Sequence, residues 1–177
     1  MSRSQDFTEN LTLLQGGHLP QPTDGPSKDL LEAFPNCYTK RPYLITIDFP
    51  EFTSLCPVTG QPDFGRIVVE YMPDALCVES KSFKLYMFAF RNRQSFMETI
   101  TNKILEDLWA VLEPSWCRVQ GLFVPRGGTR LSVFAEDFKD LPKEKAQIVQ
   151  KMVEAYRKDV HLGPNVAGAA SLDQSKV

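Results

Sequence analysis

One cysteine of this sequence stands in a segment whose residue types could do covalent chemistry. Cys56 lies in a polar stretch flanked by prolines, and Asp63 follows seven residues later in the same stretch. A thiol with a nearby carboxylic acid can serve as nucleophile and proton donor. The alternative is that Cys56 is an incidental loop cysteine and that residues 62–65 (Pro-Asp-Phe-Gly) form an ordinary turn. From the residues alone, both interpretations stand.

Two further segments have side chains that could hold an anion. Residues 79–84 read Glu-Ser-Lys-Ser-Phe-Lys, and if they open a helix, the first backbone N–H groups are free to meet a phosphate. The two lysines, three residues apart, would then lie on one face. Arg126 can grip a phosphate with paired donors, and the two glycines after it let the backbone approach a ligand. The alternatives are a solvated helix end with a serine cap and a glycine hairpin turn with an exposed arginine.

Glu98 is open to two interpretations as well. Ser95 and Glu98 have the spacing of a capping box at the start of a predicted helix, which favours a structural role. The functional alternative is a carboxylate that accepts hydrogen bonds from the amidine-like N–H edge of a base.

Composition indicates a single globular domain. The chain has 177 residues, of which 42% are hydrophobic and 24% charged, which is enough for a real core. A formal net charge of -2 gives no global basic field to hold a long nucleic acid. The N-terminus lacks the apolar region of a secretory signal, and no run reaches the roughly 18 apolar residues of a membrane span. We therefore expect a cytoplasmic protein that binds neither membranes nor nucleic acid directly.

The cysteines and histidines do not suggest a metal site. Four cysteines are scattered without CxxC spacing, so we expect free thiols in a reducing compartment. The two histidines, His18 and His161, lie in segments that look peripheral. Because a zinc site needs clustered cysteine and histidine ligands, we predict that the protein holds no metal.

The elements that must position these residues form an α+β pattern, with two hairpins flanking a helical layer. Alternating apolar residues predict strands at 43–49, 66–72, 119–124 and 131–134. Residues 50–65, with three prolines, are predicted as a structured loop. Apolar spacing predicts a helix over 95–112, and a charged helix is expected around 143–158. Residues 80–91 fit either a strand or a helix.

The same pattern suggests how the chain is organised. We expect residues 1–41 to be an irregular N-terminal arm, residues 42–160 to be a single folded domain and residues 161–177 to be a flexible tail. A four-stranded sheet has exposed edges unless another subunit covers them, so we also expect self-association.

Taken together, these segments resemble a known family, the short, single-module 7-cyano-7-deazaguanine reductases. The matching stretches are Glu-Phe-Thr-Ser-Leu-Cys-Pro-Val-Thr-Gly-Gln-Pro-Asp-Phe over 51–64, Val-Glu-Ser-Lys-Ser-Phe-Lys-Leu-Tyr over 78–86, Phe-Arg-Asn over 90–92, Glu98, and Pro-Arg-Gly-Gly over 125–128. The similarity runs from about Leu11 to about Ser132. The first two motifs are highly specific when they occur together.

The resemblance implies a tunnelling fold, in which an antiparallel sheet carries two helices on one face and the subunits assemble into rings with active sites between them. It also implies that residues 80–91 are helical. By motif position, Cys56 attacks the nitrile carbon of 7-cyano-7-deazaguanine and Asp63 protonates the nitrile nitrogen. The implied product is 7-aminomethyl-7-deazaguanine, a precursor of queuosine in tRNA, and the implied cofactor is NADPH, used twice because the reduction takes four electrons.

The resemblance also implies binding residues, position by position. The residues implied for the deazaguanine are Val78, Glu79, Ser80, Met97 and Glu98. The residues implied for NADPH are Ser80, Lys81, Arg126 and Gly127.

Met97 departs from the family pattern, as does the segment 129–134. Family members usually carry histidine at the position of Met97, and methionine cannot titrate. This leaves an alternative function: a tunnelling-fold protein that binds a purine without catalysis, or a relative that adds ammonia to the nitrile as an amidinotransferase. Such amidinotransferases lack the lysine-containing cofactor motif that is intact here, and a cyclohydrolase of the same fold would need a cysteine and histidine zinc site.

Overall fold

The computed structural model of the protein describes residues 25–160. The chain divides into two compact units, Met1–Lys139 and Asp140–Val177. The predicted tail, both histidines and most of the predicted arm lie outside the described residues, so the domain boundaries given above stay predictions.

The first unit is built on an antiparallel sheet. Its strands are β2 (Ile45–Leu55), β3 (Pro62–Met72), β5 (Trp116–Phe123) and β6 (Ser132–Phe138), paired in the order β2-β3-β5-β6. Two shorter strands, β1 (Ala33–Pro35) and β4 (Leu76–Val78), pair with each other antiparallel. The two predicted hairpins, β2-β3 and β5-β6, are confirmed, and they meet where β3 pairs with β5.

Two helices, α1 (Ser80–Phe88) and α2 (Met97–Leu112), cover one face of this sheet. The helical alternative for residues 80–91, implied by the resemblance, is therefore confirmed over Ser80–Phe88, and residues 89–91 form a turn. Along α2 the buried residues Ile100, Ile104 and Leu108 recur every four positions and form the apolar stripe of an amphipathic helix. The core cluster combines this stripe with α1 and with the facing side chains of the sheet, which include Val69 and Val119.

The predicted loop over 50–65 is wrong in its bounds, because β2 runs to Leu55 and β3 begins at Pro62. A register shift between Phe49 and Phe52 marks a bulge that takes up the extra residues. The strand can hold Pro50 because β2 is an outer strand, where a missing N–H breaks no ladder hydrogen bond. The loop that remains spans only residues 56–61.

Two local predictions at helix starts are also wrong. The N-cap of α2 is Phe96, and no side chain caps it. Ser95 lies one residue before this cap, and its N–H donates to the carbonyl of Leu55, 3.0 Å away. At the start of α1 the cap is the carboxylate of Glu79, where a serine cap was one of the interpretations.

Part of the predicted arm is ordered. A 3-10 turn spans Lys28–Leu30, the short strand β1 follows it, and Leu31 between them is buried in the core cluster. This order was not predicted because the segment is mostly polar, and a 3-10 turn and a three-residue strand are too short to give a periodic apolar signal.

The second unit contains the helix α3 (Lys143–Val160), which confirms the charged helix predicted around 143–158. Among residues 25–160, no helix is long and apolar enough to cross a membrane.

Candidate active site

The loop at the tip of the β2-β3 hairpin, residues 56–61, presents Cys56 to solvent. The N–H of Cys56 donates to the carbonyl of Gln61 at 2.8 Å, and the N–H of Gly60 donates to the carbonyl of Cys56 at 2.9 Å. Gly60 has a φ of 68°, a left-handed conformation that favours glycine and lets the chain turn back. Cys56 is partly exposed, whereas two of the other three cysteines are buried and one is exposed.

The hairpin loop also lowers the pKa of this thiol. The hydroxyl of Thr59 and the backbone N–H groups of Thr59 and Val58 hydrogen-bond to the sulfur, with a further contribution from Arg126. These donors outweigh the partial burial of the thiol and lower the pKa of Cys56 from 9.0 to about 7. A larger fraction of this cysteine is therefore the nucleophilic thiolate at neutral pH than of an ordinary cysteine.

Asp63 lies next to this loop as the second residue of β3, opposite Ser54 of β2. Its side chain is only 3% exposed, and its carboxylate accepts a hydrogen bond from Nη1 of Arg126 in an ion pair. The second guanidinium nitrogen of Arg126 donates to Oε1 of Gln61 at 2.6 Å. Arg126 also hydrogen-bonds to the sulfur of Cys56. The guanidinium thus bridges the predicted nucleophile and the predicted proton donor.

The turn between β5 and β6 holds Arg126 in this position. The N–H of Arg126 donates to the carbonyl of Thr129, and the N–H of Thr129 donates back to the carbonyl of Arg126, each at 3.0 Å. Gly127 and Gly128 between them have φ values of 56° and 82°. A Cβ atom at either glycine would meet nothing within 4 Å, so the backbone conformation of the turn, and not crowding, calls for glycine.

The segment before α2 lies against the same loop. The N–H of Leu55 donates to the carbonyl of Arg93 and its carbonyl accepts from Ser95, both at 3.0 Å. Because Leu55 directly precedes Cys56, this pairing places the segment that leads into α2 beside Cys56. Met97 is half-buried and packs against the core, whereas Glu98 is exposed and its carboxylate has no hydrogen bond or ion pair within residues 25–160.

The remaining predicted residues gather at the start of α1. Oε2 of Glu79 accepts from the N–H of Ser82 at 2.7 Å, and the hydroxyl of Ser80 donates to Oε1 of Glu79 at 3.4 Å. The N–H of Val78 donates to the hydroxyl of Tyr71 at 3.2 Å. One of the backbone N–H groups that were considered for a phosphate, that of Ser82, is therefore already bound to an anion, the carboxylate of Glu79.

Lys81 follows in the first turn of α1. It is exposed, and its ammonium makes no hydrogen bond or ion pair in the described part of the chain. No hydrogen bond in the described part joins the start of α1 to Cys56, Asp63 or Arg126. The predicted residues thus form two groups within one chain, one around Cys56 and one at the start of α1.

Three residues of the Cys56 group were not singled out from the sequence: Ser54, Thr59 and Gln61. Thr59 carries a usable signal, because a hydroxyl three residues after a cysteine in a tight turn can fold back onto it. The contact of Gln61 depends on an arginine 65 residues away and has no local signal.

Within residues 25–160, no group of three or more His, Cys, Asp or Glu side chains is placed to hold a metal ion.

Comparison with known proteins gives close relatives. A protein named NADPH-dependent 7-cyano-7-deazaguanine reductase from Desulfovibrio desulfuricans is 66% identical over 159 residues, which is 89% of this chain and 95% of the relative. A protein of the same name from Neisseria gonorrhoeae is 45% identical over 135 residues, which is 76% of this chain and 85% of the relative. The family model described as QueF-like protein matches residues 62–141.

A solved structure supports the fold. The crystal structure of the archaeosine synthase QueF-Like in the apo form aligns with a TM-score of 0.51 and 24% sequence identity, covering 56% of this chain and 96% of that chain. At this identity the likeness concerns the fold alone. The sequence identity of the relatives carries the assignment, and this chain belongs to the family of NADPH-dependent 7-cyano-7-deazaguanine reductases.

Proposed function

We propose that this protein reduces the nitrile of 7-cyano-7-deazaguanine to the primary amine with NADPH, on the route to queuosine in tRNA. The observation that carries the proposal is the guanidinium of Arg126 in contact with both the sulfur of Cys56 and the buried carboxylate of Asp63, in a loop whose hydrogen bonds lower the pKa of Cys56. The names of relatives that are 66% and 45% identical supply the substrate and the cofactor.

Cys56 supplies the nucleophile. Its thiolate adds to the nitrile carbon, so that a carbon–sulfur bond forms, one π bond of the nitrile breaks and the nitrogen takes up a proton. The product of this step is a covalent thioimide. The thioimide accepts hydride more readily than the nitrile does, which is the chemical reason for a cysteine at this position.

Asp63 supplies the proton in this mechanism. In the ion pair with Arg126, the side chain of Asp63 is a carboxylate, which has no proton to donate. The pair must therefore separate, or Asp63 must gain a proton, when the nitrile occupies the site.

The predicted NADPH residues fit the cofactor unequally. The exposed ammonium of Lys81, without a partner in residues 25–160, suits a phosphate. Arg126 suits one only after it leaves Asp63. Space beside Gly127 is open. NADPH supplies hydride when bound, and two molecules are used because nitrile to amine is a four-electron reduction.

Glu98 is the best supported contact to the deazaguanine. Its carboxylate is exposed and has no partner among residues 25–160, which suits the two N–H groups on the edge of the base. Val78, Glu79, Ser80 and Met97 complete the proposed base site. The carboxylate of Glu79 already accepts a hydrogen bond from the N–H of Ser82. Glu79 would therefore bind the base either together with this capping contact or in place of it.

The assembly we propose is the ring of the tunnelling fold, with active sites between subunits. Two features support it. The proposed site residues fall into two groups that no hydrogen bond joins within the described part of one chain. The exposed apolar side chains Val58, Phe64 and Val124 lie on the hairpin loop and on strand ends next to it, where a second subunit could cover them.

Covalent addition tests the proposal most simply. Intact-mass measurement of the protein mixed with 7-cyano-7-deazaguanine, without NADPH, should show one adduct, and peptide mapping should place it on Cys56. Asp63→Asn should form it about 10²–10⁴-fold more slowly. A protein that binds the base but forms no adduct would favour the non-catalytic purine-binding alternative raised by Met97, and an adduct on Cys37 would contradict the mechanism.

A further inference from the structure

Asp63 has a second neighbour that its ion pair does not use. Ser54 stands directly opposite Asp63 in the β2-β3 register, so both side chains project from the same face of the sheet. Side chains opposite each other in an antiparallel pair have Cβ atoms roughly 4.5–5.5 Å apart, which is within reach of a hydrogen bond after a change of rotamer.

The hydroxyl of Ser54 is buried without a partner. Ser54 is 0% exposed, and its Oγ makes no hydrogen bond. A buried hydroxyl without a hydrogen bond is costly and uncommon in native proteins, and it calls for an explanation. Alanine would fill the same place on β2 without that cost, so the fold shown here gives no reason for serine.

The carboxylate of Asp63 has its partner on the other side. The charged and titratable groups placed against it are Arg126 and, through Arg126, Cys56. The facing strand offers only the neutral hydroxyl of Ser54. When Arg126 is in contact, the carboxylate of Asp63 is held in an ion pair, and the hydroxyl of Ser54 is left without a partner.

We infer that Ser54 is the positioning residue for Asp63: when Arg126 withdraws, its hydroxyl donates to one carboxyl oxygen and turns the other, protonated oxygen towards the substrate nitrogen. The inference rests on the proposed function. In the covalent step the sulfur–carbon bond forms, the proton passes from Asp63 to nitrogen, and Asp63 ends as a carboxylate that Ser54 still hydrogen-bonds. A neutral donor suits this task, because a cation would keep the acid ionised.

The test is a double-mutant cycle on the rate of adduct formation at Cys56, at saturating 7-cyano-7-deazaguanine and without NADPH. Ser54→Ala should form the adduct about ten-fold more slowly than wild type, the size of one hydrogen bond, with unchanged affinity for the base. In the Asp63→Asn background, Ser54→Ala should cause no further loss, because the group that it positions no longer donates a proton. Ser54→Thr, which keeps the hydroxyl, should recover most of the rate.

Thr53→Ala is the matched control, since it removes a hydroxyl from the neighbouring position on the opposite face of β2, and it should leave the rate unchanged. The thermal midpoint of Ser54→Ala should equal or exceed that of wild type, because no hydrogen bond of the free protein is lost. Three results would overturn this inference but leave the proposed function standing. They are a wild-type rate in Ser54→Ala, an equal loss of rate in both backgrounds, and a lowered thermal midpoint. The absence of any adduct in wild type would overturn the proposed function together with it.

Discussion

The reactivity of Cys56 depends on how much of its thiol is ionised at a given pH. Hydrogen bonds, first of all from the hydroxyl of Thr59, lower its pKa from 9.0 to about 7, so the thiolate persists to lower pH than in an ordinary cysteine. In a Cys37→Ser background, which removes the one other exposed thiol, the rate of alkylation by iodoacetamide should therefore rise with pH around a midpoint near 7.

Thr59→Val keeps the volume of the side chain but removes the largest contribution to that shift. The midpoint for Cys56 should then move upwards, towards 9.0. A parent protein that already titrates near 9.0, or a variant that titrates like its parent, would contradict the role given to the hairpin loop.

Lys81 and Arg126 were assigned alike to NADPH, but their surroundings differ. Lys81 is exposed, whereas Arg126 touches Cys56 and Asp63. Lys81→Ala should raise the KM for NADPH roughly ten- to hundred-fold, the value of one charge-assisted contact, and leave adduct formation at Cys56 unchanged. Arg126→Ala should in addition change the rate of adduct formation in the absence of NADPH, because it removes both a hydrogen bond to Cys56 and the ion pair of Asp63. Steady-state kinetics with NADPH and the adduct rate without it separate the two effects.

Arg130→Ala provides the control for this comparison, since Arg130 is exposed near the same turn and should affect neither measurement. Identical behaviour of Lys81→Ala and Arg126→Ala in both assays would show that Arg126 serves the cofactor only.

At the scale of elements, a buried hydrogen bond joins the two helices that support the site. Tyr86 of α1 is 0% exposed and donates to Oδ2 of Asp107 on α2 at 2.7 Å, while Lys103 pairs with the same carboxylate at 3.0 Å. Tyr86→Phe leaves that carboxylate short of one donor and should lower the free energy of unfolding by about 1–3 kcal/mol in urea denaturation. Tyr38→Phe, at an exposed tyrosine, should change it little.

Elements with a strong apolar period could be predicted from the sequence, and α2 is the clearest case because Ile100, Ile104 and Leu108 mark its buried face. The segment 80–91 could not, since its aromatic residues suit either a strand or a helix, and only the family resemblance favoured the helix. The loop around Cys56 was predicted to be longer than it is, because β2 continues past Pro50 through a bulge. Such a bulge in an outer strand has no sequence signature of its own.

The candidate site was predictable where it is local and not where it depends on the fold. Cys56 and Asp63 are seven residues apart, so their proximity follows from one hairpin. The contact between Arg126 and Asp63 spans 63 residues and is set by the pairing of β3 with β5, which places the β5-β6 turn beside the hairpin loop. The partnerless hydroxyl of Ser54 likewise depends on strand register.

At the scale of the whole molecule, the proposed ring makes activity depend on assembly. Phe64→Glu places a charge on the exposed apolar surface beside the hairpin loop and should reduce both the mass measured by light scattering and the catalytic rate per chain. Tyr38→Glu, a matched change at an exposed aromatic away from this loop, should leave both unchanged. Full activity in a dispersed Phe64→Glu protein would argue that each site is complete within one chain.

The central claim is that Cys56 is the nucleophile in a four-electron reduction of a nitrile. The stoichiometry of NADPH oxidation tests this claim most directly. The measurement is the amount of NADPH oxidised per molecule of 7-cyano-7-deazaguanine consumed, followed by the loss of NADPH absorbance with the nitrile limiting. We expect two molecules of NADPH per nitrile for the wild-type protein and no oxidation for Cys56→Ala. No oxidation by the wild type at saturating NADPH, or undiminished oxidation by Cys56→Ala, would contradict the account.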